Sequence, residues 1–420
     1  MHMSDTAPQG YRHTLGWNLG FSSYWFATSY KWFILLFILL PSMVDDMVEG
    51  GTKNTAWGLV LGTGAVWALI GPAIFGRLSE TLGRRWRSTA PWLLLGSAMT
   101  CIALFTIHSA DVLWVLAVGY FLLQFGDDLG TGPYAGMVAS NVPEEHRGYA
   151  SSILGACKLA GQIGSAVAAV LLKRPELILL GIALVNVIAA FSTSLTIRSI
   201  PPRPEPGERK GFWQEYIEPF GDHDFRIVWL NRVIVSFAFA CVSAYTLNFL
   251  KDMFTEYRIF GLNLGSADNA AIALALTISF AGILGSIFSA RVSDKIGRKP
   301  LLVRSGIIVA CALIPIGFLP NLTAIFFCVL LFGIGNGIYA AADWALVSDI
   351  LPQGEKAATE MGAWQSSETA VQIPAGILMG LLIDTLNRLH FGAGYQAMIA
   401  IAGTLFFGSI FLVKHIRGGH

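Results

Sequence analysis

The chain has 420 residues, of which 54% are hydrophobic and 13% charged, and its mean hydropathy is +0.59. A soluble domain carries about 25% charged residues, so this composition excludes a large soluble enzyme and predicts an integral membrane protein. The net charge of +1 gives no reason to expect nucleic acid as a partner.

Apolar stretches long enough to cross a bilayer recur along the whole chain. A membrane-spanning helix needs about 20 such residues, and none of the stretches shows the two-residue alternation of a membrane β-barrel. We therefore predict an all-α membrane protein with twelve transmembrane helices. The predicted spans are 21–44, 54–77, 90–108, 113–137, 149–172, 177–197, 226–250, 270–290, 301–319, 323–348, 361–384 and 394–414.

The distribution of basic residues predicts the orientation of these spans. If the N-terminus is cytoplasmic, the cytoplasmic segments hold 19 lysines and arginines and the opposite segments hold six. Because cytoplasmic loops are enriched in Lys and Arg, we expect a multi-pass protein of the cell (inner) membrane with both termini in the cytoplasm.

A polar, proline-rich segment divides the predicted spans into six and six. It contains the run IPPRPEPGERKG, whose proline and charge density exclude a membrane span. We predict an N-terminal six-helix half over 1–197, a cytoplasmic linker over 198–224 and a C-terminal six-helix half over 225–420.

One short charged pattern occurs twice, at an offset of 214 residues. The first copy lies in FGRLSETLGRRWRSTAPW and the second in FSARVSDKIGRKPLL, each between the second and third spans of its half. A glycine permits a tight turn, and an acid three residues before it can pair with basic groups or cap a helix. We predict a cytoplasmic gate formed by Gly76, Glu80, Gly83, Arg84, Arg85, Asp294, Gly297, Arg298 and Lys299.

Twelve spans in two halves, a central linker and this doubled loop resemble the major facilitator superfamily. Glu80 stands where the family usually has aspartate, and Ala290 replaces the leading glycine of the second copy. The resemblance implies alternating access, in which two halves rock about a site near the middle of the bilayer. The fourth span, which continues into DDLGTGPYAGMVASNVPEEHRG, and the first, which carries YWFATSYKWF and LLP, are similar to the glycoside–cation symporter branch. That branch has an aspartate in the fourth span and a basic residue in the fifth. Here Asp127 or Asp128 and Lys158 occupy those spans.

Charged residues within the spans are the strongest candidates for function. A charge at the centre of a membrane helix costs at least ~2.5–3.5 kcal/mol, so such residues mark substrate and ion pathways. We expect Lys158 to pair with whichever of Asp127 and Asp128 faces the cavity. Asp45, Asp46 and Asp349 lie near span ends and are interpreted as solvated. The candidate substrate- or ion-binding residues lie on six spans, five of which carry them at helical spacing. They are Tyr24, Thr28, Lys31, Asp127, Asp128, Lys158, Gln162, Arg232, Ser236, Asn336, Tyr339, Asp343, Gln365, Glu368 and Gln372.

These features favour a secondary transporter that takes up a small polar solute, such as a sugar or glycoside, together with protons or sodium. We expect it to act as a monomer in the lipid bilayer. One alternative is a proton-coupled exporter of amphipathic compounds, and another is a non-transporting or lipid-handling protein on the same fold. The chain has neither a nucleotide-binding G-x-x-x-x-G-K-[ST] loop nor a metal-binding H-E-x-x-H motif. We therefore expect no enzymatic activity, no metal and no cofactor other than the coupling ion.

Overall fold

The protein is described by a computed structural model that is helical over most of its length. One two-stranded antiparallel hairpin, in which Arg258 pairs with Asn263 and Ile259 with Leu262, interrupts the helices. The structure describes residues 11–48, 51–82, 86–135, 137, 141–172, 174–201, 211–350, 363–364, 366–368 and 370–417.

The helices follow the order of the predicted spans. Among the described residues, ten helices are long and apolar enough to cross a membrane. Large apolar side chains such as Phe105, Leu171 and Phe191 are exposed on them, as expected of surfaces that face lipid. The helices are α1 (Leu15–Ile34), α2 (Leu40–Met47), α3 (Lys53–Thr81), α4 (Ala90–His108), α5 (Leu113–Ala135), α6 (Glu144–Leu172), α7 (Pro175–Thr196), α8 (Phe212–Ile217), α9 (His223–Met253), α10 (Ala267–Ile296), α11 (Arg298–Ile316), α12 (Leu322–Ile350), α13 (Gln372–Leu389) and α14 (Ala393–Val413); the strands are β1 (Arg258–Ile259) and β2 (Leu262–Asn263).

The first helix begins earlier than the predicted span because Thr14 caps it. The Thr14 hydroxyl accepts a hydrogen bond from the backbone N–H of Trp17 at 3.2 Å, which satisfies one of the open donors of the first turn. A π-helical segment, Leu35–Leu39, joins α1 to α2 just before Pro41. Proline lacks the N–H that an α-helix uses, and a single π turn is one way to accommodate that loss.

The fourth and eleventh predicted spans are each described only in part. The fourth, predicted over 113–137, is a helix over Leu113–Ala135. The eleventh, predicted over 361–384, lies partly outside the described residues; its described part includes helical residues 366–368 and the helix Gln372–Leu389, which extends beyond the predicted end.

The described part of the linker contains a short helix, α8, followed by a 3-10 turn over Glu218–Gly221. Asp222 then caps α9, since its Oδ1 accepts from the backbone N–H of Phe225 at 2.8 Å. This cap starts α9 at His223, three residues before the predicted span.

The chain forms two compact units. The first comprises Met1–Leu39 and Thr63–Arg209, and the second comprises Leu40–Gly62 and Lys210–His420. In the first unit α1 packs on α6 and α7, and α4 packs on α5 and α7. Gly96 lets α4 approach α5 closely, because a Cβ atom at Gly96 would lie 2.6 Å from the carbonyl oxygen of Gly126. Small residues at helix contacts are typical of membrane proteins.

In the second unit α12 packs on α10 and α11, while α14 contacts α9, α11 and α13. Residues 40–62, which include the beginning of α3, belong to this unit by their contacts. The division into six-helix halves stays a prediction of the sequence.

Candidate functional site

The first unit holds a buried ion pair between α1 and α5. Lys31 Nζ lies 2.5 Å from Asp127 Oδ1, and the indole N–H of Trp32 donates to Asp127 Oδ2 at 2.9 Å. The Lys31 side chain is 0% exposed. Each oxygen of the Asp127 carboxylate therefore has a donor, which offsets part of the free energy needed to bury a charged pair.

The neighbouring carboxylate has a different environment. Gln124 Nε2 lies 3.1 Å from both oxygens of Asp128, which is buried. Gly71 on α3 leaves room for this side chain, because a Cβ atom there would lie 2.8 Å from Asp128 Oδ2. Within the described ranges, no lysine or arginine forms an ion pair with Asp128. With Lys31, Asp127 and Asp128 all ionised, the cluster carries one net negative charge.

Lys158 does not take the position predicted from the sequence. Asp127 pairs with Lys31, and Lys158 Nζ lies 4.0 Å from the centroid of the Trp25 ring. A cation over an indole face is attracted by the ring quadrupole. Helix α1 packs on α6, which carries Lys158, and sequence spacing could not show which of the two lysines would reach the acid.

Tyr24 and Thr28, the other candidates on α1, are buried in the same unit. Neither hydroxyl has a hydrogen-bond partner among the described residues. Gln162 on α6 is half-buried. Buried polar atoms are almost always hydrogen-bonded in native proteins, so the Tyr24 and Thr28 hydroxyls are candidates for contact with a ligand.

The second unit holds a three-residue charge cluster around Arg232 on α9. Arg232 Nη1 lies 2.6 Å from Asp343 Oδ2 on α12, and Nη2 lies 2.7 Å from Glu368 Oε2. The two acids differ in environment, since the side chain of Asp343 is 0% exposed and that of Glu368 is 61% exposed. With all three groups ionised, this cluster also carries one net negative charge.

Aromatic and amide side chains surround Arg232. Its guanidinium carbon lies 3.7 Å from the centroid of the Trp364 ring, and Asn231 Nδ2 donates to the Tyr339 hydroxyl at 3.1 Å. Four buried atoms here have no hydrogen-bond partner in the described part of the chain: Asn231 Oδ1, Arg232 Nε, Asp343 Oδ1 and Trp364 Nε1. The cluster thus combines an indole face with open polar groups.

The remaining candidates of the second unit are less informative. Ser236 on α9 and Asn336 on α12 are half-buried. Gln365 and the side chain of Gln372 lie outside the described residues. The structure therefore brings together Arg232, Tyr339, Asp343 and Glu368 out of the set predicted from the sequence.

Asp384 on α13 is an acid that the sequence prediction omitted. Its Oδ1 accepts from Asn54 Nδ2 at 2.8 Å, and its Oδ2 accepts from the Thr55 backbone N–H at 2.7 Å and hydroxyl at 2.6 Å. Asn248 Nδ2 in turn donates to Asn54 Oδ1 at 2.7 Å. Asp384 thereby caps the N-terminus of α3, where an anion is favoured by the helix dipole. A carboxylate at the end of a predicted span is the signal that could have identified it.

Asp45 also differs from its expected role as a solvated residue. Asp45 lies 3.3 Å from Lys53 Nζ and 3.2 Å from Lys251 Nζ, while Lys53 also lies 2.7 Å from Asp252. The Tyr395 hydroxyl donates to the other oxygen of Asp252 at 2.6 Å. Two acids and two lysines therefore form a charge-neutral network in the second unit.

The predicted gate motif is described mainly in its second copy. Gly297 lies between α10 and α11 with φ 88° and ψ 160°, a conformation that residues with a side chain rarely adopt. Arg298 donates to the backbone carbonyl of Ala345, and Lys299 Nζ lies 3.4 Å from the carbonyl oxygen of Arg417. Gly76 is half-buried on α3. Residues 83–85, and the side chains of Glu80 and Asp294, lie outside what the structure describes.

A family model identifies this architecture. The model described as Major Facilitator Superfamily matches residues 19–369. This chain belongs to the Major Facilitator Superfamily. The predicted superfamily and the predicted all-α membrane fold are therefore confirmed, and the protein is a multi-pass membrane transporter of that superfamily. Its similarity to the glycoside–cation symporter branch stays a prediction.

The relatives of this superfamily member include efflux proteins. The chain is 28% identical over 163 residues to the multi-drug resistance efflux pump PmrA of Streptococcus pneumoniae serotype 4, and the match covers 38% of this chain and 39% of that protein. It is 23% identical over 398 residues to the PmrA homolog of Lactococcus lactis subsp. lactis, covering 91% and 89%. Among solved structures, the nucleoside transporter NupG aligns with a TM-score of 0.75 at 12% identity, over 96% of this chain and 100% of that one, which shows a shared fold.

Proposed function

We propose that this transporter is a proton-coupled exporter of amphipathic, positively charged compounds, working by alternating access. The observation that carries the proposal is the contrast between two adjacent acids. Asp127 is paired with Lys31 at 2.5 Å, whereas Asp128 has an amide, Gln124, as its donor. Both are buried.

Asp128 is suited to carry the coupled proton. Protonation of Asp128 brings the cluster from one net negative charge to zero, and it leaves the ion pair of Lys31 with Asp127 intact. Protonation of Asp127 would instead leave Lys31 as an unpaired buried cation, which is strongly destabilising. In this proposal Lys31 and Asp127 position Asp128, and Asp128 exchanges the proton.

Charge and aromatic content support a cationic, amphipathic substrate. The cluster of Lys31 with Asp127 and Asp128, and the cluster around Arg232, each carry an excess of one acid when fully ionised. The indole N–H of Trp32 donates to Asp127 in the first cluster, and the Trp364 ring packs against the Arg232 guanidinium in the second. Aromatic faces attract organic cations, and the excess acid disfavours an anionic cargo such as a phosphate ester.

The names of the relatives favour export over uptake. PmrA and its Lactococcus lactis homolog are both described as multi-drug resistance efflux proteins, and the second match extends over 91% of this chain. Uptake of a sugar or glycoside with protons or sodium stays a prediction of the sequence alone.

The test uses the full chain in proteoliposomes with an imposed pH gradient of either direction. Ethidium, a permanent organic cation, and melibiose, a neutral glycoside, serve as the two probes. An exporter that exchanges protons for its cargo accumulates ethidium when the lumen is acidic, whereas a symporter accumulates its cargo when the outside is acidic. A sodium gradient at equal pH identifies the coupling ion.

Two variants assign the role of Asp128. We expect Asp128→Asn to lose accumulation driven by the pH gradient and to keep exchange of ethidium across the membrane at equal pH, because the amide preserves shape and hydrogen bonding. Glu256→Gln, the same chemical change at an exposed residue of the loop after α9, should accumulate ethidium like the unaltered protein. Normal accumulation by Asp128→Asn refutes the coupling role, and accumulation of melibiose alone with an acidic exterior refutes export.

A further inference from the structure

A cavity at one end of the first unit combines positive charge with open hydrogen-bond donors. It has a volume of about 470 Å³ and lies where α1 begins and α7 ends. This volume is within the range of ligand-binding cavities. Its lining includes Arg12, Thr14, Trp17, Leu195, Arg198 and Ser199.

Neither guanidinium of the cavity is paired with an acid in the described part of the chain. Arg12 and Arg198 are exposed, and no carboxylate among the described residues forms an ion pair with either of them. The N-terminus of α1, capped by Thr14, adds a further partial positive charge. Two arginines beside a helix N-terminus favour a ligand with a compact negative charge, and Arg is well suited to phosphate oxygens.

A buried donor gives an independent indication of a ligand. Trp17 lines the cavity and is 8% exposed, yet its indole Nε1 has no hydrogen-bond acceptor among the described residues. An indole nitrogen can only donate, and a buried tryptophan N–H usually finds a partner. An anionic oxygen would supply the missing acceptor.

The two helices below the cavity contact each other closely, and their outer surface is apolar. Gly20 on α1 leaves room for the Thr196 side chain on α7, and the Ser23 hydroxyl lies 2.9 Å from that of Thr193. These contacts fix α1 against α7. Exposed apolar side chains continue along both helices away from the cavity: Leu15 and Leu19 on α1, and Phe191 and Leu195 on α7.

We propose that this cavity binds a phosphate group, and that its source is the headgroup of an anionic phospholipid whose acyl chains lie along the apolar surface of α1 and α7. A soluble phosphate would use the two arginines but would have no use for the apolar surface beside them. The positive-inside rule predicts that this end of the unit faces the cytoplasm, where anionic lipids attract basic residues near the membrane surface.

The test labels the full-length protein in detergent with a phosphatidylglycerol that carries a photoreactive group in one acyl chain. Peptide mass spectrometry should find the label on residues 15–20 and 191–199. Unlabelled phosphatidylglycerol should compete for this site, whereas phosphatidylcholine, which has no net charge, should compete weakly. In a separate arm, millimolar inorganic phosphate is added as the competitor. If phosphate at concentrations that saturate the site displaces the photoreactive lipid, the ligand is a soluble phosphate and the lipid assignment is overturned.

Substitutions of the two arginines test the site itself. We expect Arg12→Gln and Arg198→Gln each to weaken lipid binding about fivefold and the double variant on the order of 25-fold. Arg226→Gln, at an exposed arginine of the second unit, removes the same charge and should leave labelling at residues 15–20 unchanged. If the double variant does not give a monodisperse protein, the single variants test whether the arginines bind the lipid. The charge-conserving Arg12→Lys is their control and should bind nearly as well as the unaltered protein. Labelling that all arginine variants retain in full refutes the proposal.

Discussion

Replacing Asp343 by asparagine should destabilise the second unit far more than replacing Glu368 by glutamine. Both acids pair with the same arginine, Arg232, at nearly equal distances of 2.6 and 2.7 Å. Each substitution removes one negative charge and keeps the shape of the side chain. The two positions differ in exposure, since Asp343 is fully buried and Glu368 is 61% exposed.

The expected magnitudes follow from that difference. Removing one partner of a buried ion pair costs about 3–5 kcal/mol, because a buried charge is left without its counter-ion. For Asp343→Asn we expect the lower end, about 3 kcal/mol, since Arg232 keeps Glu368 and the face of Trp364. An exposed pair contributes ~0–1 kcal/mol, so Glu368→Gln should fall in that range. A difference of about 2 kcal/mol corresponds to roughly a 30-fold change in the unfolding equilibrium.

The assay is reversible unfolding of the purified protein in mixed micelles with increasing denaturing detergent, followed by circular dichroism. A double variant, Arg232→Met with Asp343→Leu, provides the control, because apolar replacement of a whole buried pair is often neutral. It should recover most of the stability lost by Asp343→Asn. The reasoning that burial decides how much each acid contributes to stability is refuted if the two single variants lose equal free energy of unfolding. It is also refuted if the double variant is as unstable as Asp343→Asn.

Two further predictions concern single residues that shape the helices. Asp384→Ala should destabilise the protein by about 2 kcal/mol, because it removes the acceptor of hydrogen bonds from Asn54 and Thr55 at the N-terminus of α3; thermal unfolding measures this, and no shift contradicts the capping role. Gly297→Ala should cost about 1–3 kcal/mol because of its backbone conformation. Gly155→Ala, inside α6 with open space around it, should instead be neutral or stabilising by up to about 1 kcal/mol, and equal losses for the two alanine variants would disprove the strain at Gly297.

The sequence by itself determined the class of the protein and the placement of most helices. Hydropathy alone is enough for this, because a backbone in lipid must satisfy its hydrogen bonds within a helix, and such a helix requires a long apolar run. The charged residues within those runs were identifiable for the same reason. Lys31, Asp127, Arg232 and Asp343 are all in buried ion pairs.

Only the tertiary structure decided which charges meet. Lys31 and Lys158 lie on helices that pack together, and the sequence position of either lysine was compatible with a contact to Asp127. In the structure Lys31 pairs with Asp127, and Lys158 lies over the Trp25 ring. The contact of Asp384 with the start of α3 joins residues about 330 positions apart. Helical periodicity fixes which residues share one face of a helix, but it carries no information about which face of another helix lies opposite. That choice depends on packing among all the helices of a unit.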